Sequence, residues 1–203
     1  MATNAASGRI SCSTTKAPLS AKFAGARRRS LKRPHEVAFI ADSMLGGVAR
    51  KLRIFGFDTL YIANADDGEI LRVGIDQSRI ILTADKELFK RADKAGARGV
   101  LVSGGSDVED LVHILSKNGV TSIGVDGIGS RCSVCNGLLE ERTPEQVRSK
   151  VPGKVGANHN EFFECVDCGK VYWEGSHFRR IEALAKSVDS KLKERQLWRT
   201  TIR

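Results

Sequence analysis

The stretch Val37–Gly46, VAFIADSMLG, carries the signal that decides the fold. Its first five residues are all apolar, as expected for a strand that is buried on both faces of a sheet. Apolar residues then recur at helical spacing, with basic residues between them. A buried strand followed closely by an amphipathic helix is typical of an α/β domain.

Short apolar runs continue to alternate with amphipathic stretches as far as Val125. Because the helical stretches are short, each should connect two strands by a tight crossover, which predicts a parallel sheet with helices on both faces. The predicted strands are Val37–Ala41, Phe57–Ala63, Ile80–Leu82, Val100–Val102 and Thr121–Val125, and the predicted helices are Met44–Arg53, 67–76, one beginning near Lys86 and one around Val108–Leu115.

Each of the first four predicted strands is followed by acidic residues, which are Asp42, then Asp66, Asp67 and Glu69, then Asp85, and finally Asp107. In a parallel sheet, ligands bind beyond the carboxyl ends of the strands, where these acids should meet. Crowded carboxylates repel one another, and a divalent cation with oxygen ligands offsets that repulsion. Mg²⁺ or Mn²⁺ held there could activate water against a phosphodiester. The sequence therefore predicts a metal-dependent phosphodiesterase site, which we call the acidic rim.

Helix capping is the alternative explanation for several of these acids. Asp66 with Glu69 forms a D-x-x-E capping box, and Ser106 with Glu109 forms an S-x-x-E box that would make Asp107 a first-turn acid. Asp85 could cap the helix that follows it. Asp42 is the hardest to explain by capping, because it follows a run that should lie in the sheet centre. No Walker loop or G-x-G-x-x-G follows the first strand.

Two C-x-x-C pairs, Cys132 with Cys135 and Cys165 with Cys168, are separated by 29 residues. Each pair can supply two sulfurs at adjacent corners of a tetrahedral zinc ion. With four sulfur ligands, no coordination position stays open for water, so the predicted role is structural. The remaining cysteine, Cys12, lies in the N-terminal segment. Disulfides between these cysteines would need an oxidising compartment, and the sequence shows no secretory signal that would indicate one.

Composition and charge limit the other possibilities. The 203 residues are 41% hydrophobic, enough for one ordinary core and a small satellite. No apolar run approaches the roughly 18 residues of a membrane span, which predicts a soluble protein. The net charge of +9 comes largely from residues 1–35, which hold eight basic residues and no acid and leave 25 basic against 24 acidic residues for the rest.

Residues 1–35 are rich in Ala, Ser, Thr and Arg and lack an apolar core segment. This composition predicts an organellar transit peptide, with a chloroplast favoured over a mitochondrion. The alternative is a disordered basic arm that binds nucleic acid directly. The remaining chain is divided into an α/β domain at 36–125, a zinc ribbon at 126–178 and a basic C-terminal helix and tail at 179–203, with the helix itself at Ile181–Leu197.

Six segments together form a pattern that is more specific than any one motif; they are Phe39–Gly46, Leu52–Leu60, Ala65–Ile70, Ile81–Asp85, Arg131–Gly137 and Glu161–His177. With these segments, the chain resembles the Mut-seven C-terminal RNase domain family over about residues 37–180. The resemblance implies a PIN-like nuclease fold with a zinc ribbon, a divalent-metal-dependent ribonuclease activity and the ability to form a homodimer. It assigns catalytic and metal-binding roles to Asp42, Asp67 and Asp85, with Asp66 and Glu69 as neighbouring acids.

Two positions depart from the family pattern. Ala84 stands where the family commonly has Arg inside T-x-D, which removes a phosphate contact that Lys86 could replace. The helix Met44–Arg53 contains no acid, although PIN nucleases commonly have a fourth acidic residue there. Three carboxylates can hold one Mg²⁺ whose octahedral coordination is completed by water. The sequence therefore favours a site for one metal ion over a site for two.

Basic and aromatic residues are the candidates for contacts with single-stranded RNA. Arg50, Arg53, Lys86 and Trp173 are the predicted RNA-binding residues. A solvated helix face explains the arginines equally well, and the ribbon's own small core explains Trp173. Two hypotheses therefore stay open: a metal-dependent ribonuclease, or a non-catalytic module that keeps the zinc and binds RNA or protein.

Overall fold

The computed structural model of the chain describes residues 37–125 and 129–201. Residues 1–35, for which the sequence predicts a transit peptide, lie outside the described residues.

Four parallel strands form the main sheet, in the order β2-β1-β3-β4. The strands are β1 (Ala38–Ala41), β2 (Asp58–Tyr61), β3 (Ile80–Thr83) and β4 (Gly99–Leu101). Ala38 pairs with Asp58 at one end of β1, and Ala41 lies between Tyr61 and Leu82 at the other. The predicted parallel sheet is confirmed.

Helices cover both faces of this sheet, as predicted, because alternate residues of the central strands point in opposite directions. Phe39 and Leu82 face the larger hydrophobic core, which is closed by helices α1 (Gly46–Ile54) and α4 (Asp107–Lys117). Ile40 and Ile81 face a second cluster, which is closed by α2 (Asp67–Asp76) and α3 (Lys86–Lys94). A short 3-10 helix, Ser43–Leu45, joins β1 to α1.

The predicted fifth strand at Thr121–Val125 is wrong. These residues form a loop, and Ile123 donates its backbone N–H to the Asp189 carboxylate of the C-terminal helix at 3.0 Å. Ile123 and Val125 pack against the larger core from the loop. Their apolar character therefore reflects packing beneath a helix and not strand pairing.

The C-terminal helix, α7 (Ser176–Thr201), begins five residues before the predicted start. Its side chains Ala185, Val188 and Leu192 are buried in the larger core, where α7 packs against α4. The helix is therefore a wall of the α/β domain. Across the residues described by the structure, every helix is too short or too polar to cross a bilayer.

Between the α/β domain and α7 lies a three-stranded antiparallel sheet in the order β5-β6-β7. Its strands are β5 (Leu139–Arg142), β6 (Phe162–Cys165) and β7 (Val171–Trp173). Two short helices, α5 (Pro144–Val147) and α6 (Gly153–Asn158), connect β5 to β6. Phe162 is fully buried against Val147 and Val151 and forms the small core of this unit.

Two helical glycines should respond to alanine with opposite signs. A Cβ on Gly74 in α2 would lie 2.6 Å from Cγ1 of the buried Ile81, so Gly74→Ala should destabilise the fold by about 1–3 kcal/mol. A Cβ on Gly47 in α1 would meet only Lys51 Nζ, at 3.7 Å, so Gly47→Ala should stabilise by about 0.5–1 kcal/mol. Urea unfolding of both variants measures the two effects. Equal shifts of the same sign would contradict the close packing of α2 on β3.

Candidate functional site

One hydroxyl group links two acids of the rim. Thr83, fully buried at the end of β3, donates its Oγ1 hydrogen to Asp42 Oδ2 at 2.8 Å. The same oxygen accepts the backbone N–H of Asp85 at 2.9 Å. Asp42 is only 7% exposed, and it also accepts a hydrogen bond from Ser43 Oγ at 3.1 Å. The ends of β1 and β3 are therefore held together through the residues that the sequence assigned to the site.

Asp66 and Asp85 cap helices, as the alternative explanation held. Asp66 Oδ1 accepts the backbone N–H of Glu69 at 2.8 Å at the start of α2. Asp85 Oδ1 accepts the backbone N–H of Glu87 at 2.6 Å at the start of α3. Both carboxylates are exposed, and each cap uses one of the two oxygens. Capping therefore fixes these side chains at the rim, and the second carboxylate oxygen of each takes no part in the cap.

Asp67 is paired with a cation. Its Oδ2 lies 3.0 Å from Arg91 Nη1 of α3, and both side chains are partly exposed. Glu69, one turn further along α2, is half-buried, and Lys86 is exposed beside Asp85. The α2 side of the rim thus holds a carboxylate–guanidinium pair.

The rim carboxylates do not converge on one point. Within residues 37–125 and 129–201, the only group of three or more potential metal ligands is the four cysteines, whose sulfurs lie within 4.8 Å of one another. Each of these acids instead accepts hydrogen bonds or forms an ion pair of its own. That Asp42, Asp67 and Asp85 together bind Mg²⁺ or Mn²⁺ stays a prediction.

Asp110 is an acid of this region that sequence reasoning missed. It lies in the first turns of α4 and is 6% exposed. Ser103 Oγ, in the loop that follows β4, lies 3.4 Å from its Oδ1. The run Asp107-Val108-Glu109-Asp110 follows a serine cap and is typical of the exposed first turn of a helix. This pattern gave no indication that Asp110 is buried. The available signal was that Asp110 directly precedes the apolar residues Leu111 and Val112.

The four cysteines meet at a separate place and match a tetrahedral zinc site. Sγ of Cys132 lies 3.6 Å from Sγ of Cys168, and Sγ of Cys135 lies 3.3 Å from Sγ of Cys165. Four sulfurs bound to one zinc ion at the usual length lie about 3.8 Å apart. The donor set and its spacing therefore fit zinc closely.

The two cysteine pairs lie in similar turns. In the first knuckle (residues 132–137), Asn136 N–H donates to Cys132 O, and Cys132 N–H donates to Gly137 O. In the second knuckle (residues 165–170), Gly169 and Cys165 make the equivalent bonds. Asn136 and Gly169 both have positive φ, at 74° and 69°, which such a tight turn requires. The backbone thus holds each sulfur pair in place.

Hydrogen bonds favour the thiolate form of Cys132. Burial of this thiol raises its pKa, but hydrogen bonds from the Tyr172 hydroxyl and from the backbone N–H groups of Cys135 and Val134 outweigh burial and lower the pKa to about 6. Tyr172 Oη lies 3.0 Å from Cys132 Sγ. Burial also raises the pKa of Tyr172, so its hydroxyl keeps the proton that it donates. Tyr172 is therefore an outer partner of the metal centre.

Arg53 was predicted to bind RNA, and the structure contradicts this. Arg53 is 4% exposed, and its Nε donates to Thr59 O at 2.8 Å. Its Nη1 donates to Ser133 O at 3.1 Å and to Val134 O at 2.9 Å, both in the first knuckle. Burial lowers the pKa of the guanidinium, and the three carbonyls offset that cost. Arg53 therefore anchors the ribbon and cannot reach a phosphate backbone.

Asn136 completes this attachment at the edge strand β2. Its Oδ1 accepts the backbone N–H of Thr59 at 3.0 Å, and its Nδ2 donates to Asp58 Oδ1 at 2.8 Å. Arg79 forms a bidentate pair with the same carboxylate, at 2.8 and 3.1 Å. Burial raises the pKa of Asp58, but its hydrogen bonds to Arg79 and Asn136 outweigh burial and lower the pKa below its ordinary value.

The ribbon and the acidic rim lie at opposite ends of the sheet. The first knuckle contacts the C-terminal end of α1 and Asp58, the first residue of β2. Asp42 and Asp85 instead follow the carboxyl ends of β1 and β3. The zinc centre therefore does not border the rim.

The other predicted RNA-binding residues lie in different surroundings. Arg50 is exposed on α1, next to Lys51, whose Nζ lies 2.8 Å from Asp107. Trp173 is partly buried and packs against the Phe162 cluster, as the core interpretation held. Of the basic pair Arg50 and Arg53, only Arg50 is accessible to a ligand.

Replacing Arg53 with methionine should weaken both the fold and the zinc site. Arg53→Met keeps an unbranched apolar stem but leaves the carbonyls of Thr59, Ser133 and Val134 without the guanidinium donor, so we expect a loss of about 1–3 kcal/mol in unfolding free energy. The variant should also lose zinc to a chelating dye at lower dye concentration. Arg50→Met, on the same helix but exposed, is the control and should change stability by less than about 0.5 kcal/mol. Equal effects of the two changes would refute the anchoring role.

Comparison with known proteins identifies the family of this chain. The chain is 28% identical over 128 residues to "Exonuclease mut-7" of Caenorhabditis elegans, in an alignment that covers 59% of this chain and 14% of the longer relative. The chain therefore spans only a small part of that protein. Residues 37–185, which include the parallel sheet, the acidic rim and all four clustered cysteines, match the Mut7-C RNAse domain. The chain belongs to the Mut7-C RNase domain family, whose description is of a nuclease type.

Proposed function

We propose that this protein is a divalent-metal-dependent ribonuclease that hydrolyses phosphodiester bonds of single-stranded RNA at the acidic rim. The observation that carries the proposal is the Thr83 hydroxyl, which joins Asp42 to the backbone of Asp85 at the carboxyl ends of two parallel strands. That edge is where α/β sheets bind ligands. The membership in an RNase domain family supplies the reaction class.

The donor set of the rim suits Mg²⁺ or Mn²⁺. These ions prefer carboxylate oxygens, and Mg²⁺ usually keeps several waters while it is bound by one or two carboxylates and by substrate phosphates. Separated carboxylates at Asp42, Asp67 and Asp85 fit that mode better than a closed cage. When bound, such an ion lowers the pKa of a water molecule and offsets the charge on the scissile phosphate.

The residues of the chain contribute position and charge. Thr83 orients the Asp42 carboxylate, and the caps fix Asp66 and Asp85. Arg91, paired with Asp67, and the exposed Lys86 lie beside these acids and can contact RNA phosphates. Lys86 thereby takes the place of the arginine that Ala84 replaces. Arg50 on α1 and Trp173 on the ribbon are the further proposed RNA contacts.

A non-catalytic module that binds RNA or protein is the second candidate. It is favoured by one observation: the acids of the rim already have partners, and among the described residues no three carboxylates lie within ligand distance. On this alternative the rim residues are caps and ion pairs, and zinc keeps the ribbon folded for binding alone.

Removing the rim charges should separate the two candidates. Asp42→Asn and Asp85→Asn should each reduce Mn²⁺-dependent cleavage of a fluorescent single-stranded RNA by about 100- to 1,000-fold, because each removes charge from the site that stabilises the transition state. Asp76→Asn, which changes an acid at the exposed end of α2, is the matched control and should cleave at the wild-type rate. Cleavage that survives both rim substitutions, or that the wild type lacks, would refute the nuclease proposal. Calorimetric titration of Mn²⁺ into the zinc-loaded protein adds a check, since absence of binding at millimolar metal supports the module.

The bridging hydroxyl of Thr83 gives a finer prediction. Thr83→Val keeps the shape of the side chain but leaves Asp42 Oδ2 and the Asp85 N–H without their shared partner. We expect Mn²⁺ affinity and cleavage to fall by about 10- to 100-fold, as for other residues that orient metal ligands. Thr83→Ser keeps the hydroxyl and should restore most of the loss. A serine variant as impaired as the valine variant would show that packing, and not the hydrogen bond, matters there.

A further inference from the structure

A cleft of about 530 Å³ separates the ribbon from the first turns of α7 and the C-terminal end of α1. Small-molecule sites commonly have volumes of about 300–1,000 Å³ and lie at the junction of two structural units. The cleft lies at the end of the sheet that bears the ribbon, so it is separate from the acidic rim. No residue that we assign to hydrolysis lines it.

Aromatic side chains form much of the lining. Phe163 on β6 lies opposite Tyr172 on β7, and both contribute to one wall, while Phe178 on α7 contributes to another. Trp173 also lines the cleft. All four residues are only partly buried, and Phe163 and Tyr172, as directly paired residues, lie on the same face of the ribbon sheet. Rings of this kind provide faces on which bases stack, at about 1–3 kcal/mol per base.

The charge around the cleft is positive. Arg131 and Lys170 line it, and Lys170 Nζ lies 5.6 Å from the centre of the Tyr172 ring. Glu174 is the acid among the described lining residues. Arg179 and Arg180 follow directly on the exposed side of α7. Aromatic faces bordered by cations are the combination that single-stranded nucleic acid recognises.

Charge also argues against the N-terminal segment of this chain as the ligand of the cleft. Residues 1–35 carry eight basic residues and no acid, so they have the same sign of charge as the cleft and would be repelled. A polyanion with unpaired bases fits both the rings and the cations.

We infer that this cleft binds one or two unpaired nucleobases of RNA, by stacking on Phe163, Tyr172 and Phe178, with Lys170 and Arg131 contacting the adjoining phosphates. The inference rests on the proposed function only in taking RNA as the ligand. Because the cleft and the rim lie at opposite ends of the sheet, one RNA strand that fills both must run along the domain. Short oligonucleotides would then reach the rim without the benefit of the cleft.

The full chain carries two tryptophans, Trp173 and Trp198, and this provides a direct reporter. In an Asp42→Asn/Trp198→Phe background, Trp173 is the sole tryptophan and the rim is inactive. Titration with a 12-nucleotide oligo(A) should quench Trp173 fluorescence, and an abasic strand of equal length should quench it far less. Equal quenching by both strands, or quenching by neither, would overturn the inference.

Substitutions at Phe178 test the stacking contact. In the same background, Phe178→Ala and Phe178→Leu should each weaken oligo(A) binding by about 5- to 150-fold, which corresponds to the stacking energy of one base. Neither should change affinity for the abasic strand. The leucine variant keeps apolar volume, so it guards against a folding defect, and zinc content checks the nearby metal centre. Ile75→Ala, which changes a half-exposed apolar residue on α2, is the control and should bind as the parent does.

Other results would point to a different occupant and overturn the inference. One such result is an oligo(A) affinity that does not change in the Phe178 variants, and another is an equal loss of affinity for the abasic strand. A third is a dimer, detected by sedimentation, that dissociates in the Phe178→Ala variant. The binding assay uses a chain without an active rim, so it does not depend on cleavage. If oligo(A) binds as expected but the wild type shows no Mn²⁺-dependent cleavage, the nuclease proposal is rejected and the inference about the cleft stands. If the wild type cleaves RNA but the cleft does not bind bases, only the inference about the cleft is rejected.

Discussion

The buried guanidinium of Arg53 is the contact on which the arrangement of the molecule depends. A charge that is 4% exposed must be matched by acceptors, and the acceptors come from both structural units: Thr59 O in the main sheet and the carbonyls of Ser133 and Val134 in the first knuckle. Because those carbonyls belong to the turn that holds Cys132 and Cys135, the same turn that brings these two sulfurs together also satisfies the arginine. Metal site and α/β domain therefore stabilise each other through one side chain.

This attachment sets the spatial relation between the two chemically distinct regions. The knuckle contacts the first residue of β2, whereas Asp42 and Asp85 follow the opposite ends of their strands. The sheet thus separates the cysteine cluster from the acids, so any contribution of the ribbon to a reaction at the rim would act from a distance. Base binding in the aromatic cleft between the ribbon and α7, as we propose, would be such a contribution.

Much of the fold follows from local patterns in the sequence. Two-sided apolar runs identified the four parallel strands, and cysteine spacing identified the cluster of four cysteines, because both signals reside in neighbouring residues. Arg53 was predicted to bind RNA, with a solvated helix face as the alternative, because Arg50, Lys51 and Arg53 look alike along one helix. The knuckle carbonyls that accept its hydrogen bonds lie about 80 positions away. Asp110 was missed because it lies within a capping sequence. Thr121–Val125 was predicted as a strand because it is apolar, but its apolar residues pack against the core from a loop. Contacts between distant segments explain the errors at Arg53 and Thr121–Val125, whereas a local capping pattern explains the omission of Asp110.

The place of α7 in the chain has a consequence for how the protein folds. Ala185, Val188 and Leu192 complete the core of a sheet whose strands all precede Val102, and the whole ribbon lies between them. Closing that core brings together segments far apart in sequence, which raises contact order and slows folding. The ribbon shortens this loop when zinc draws its two knuckles together. Metal loading would then act as an assembly step, and a nascent chain deprived of zinc would leave its first strands uncovered and open to aggregation.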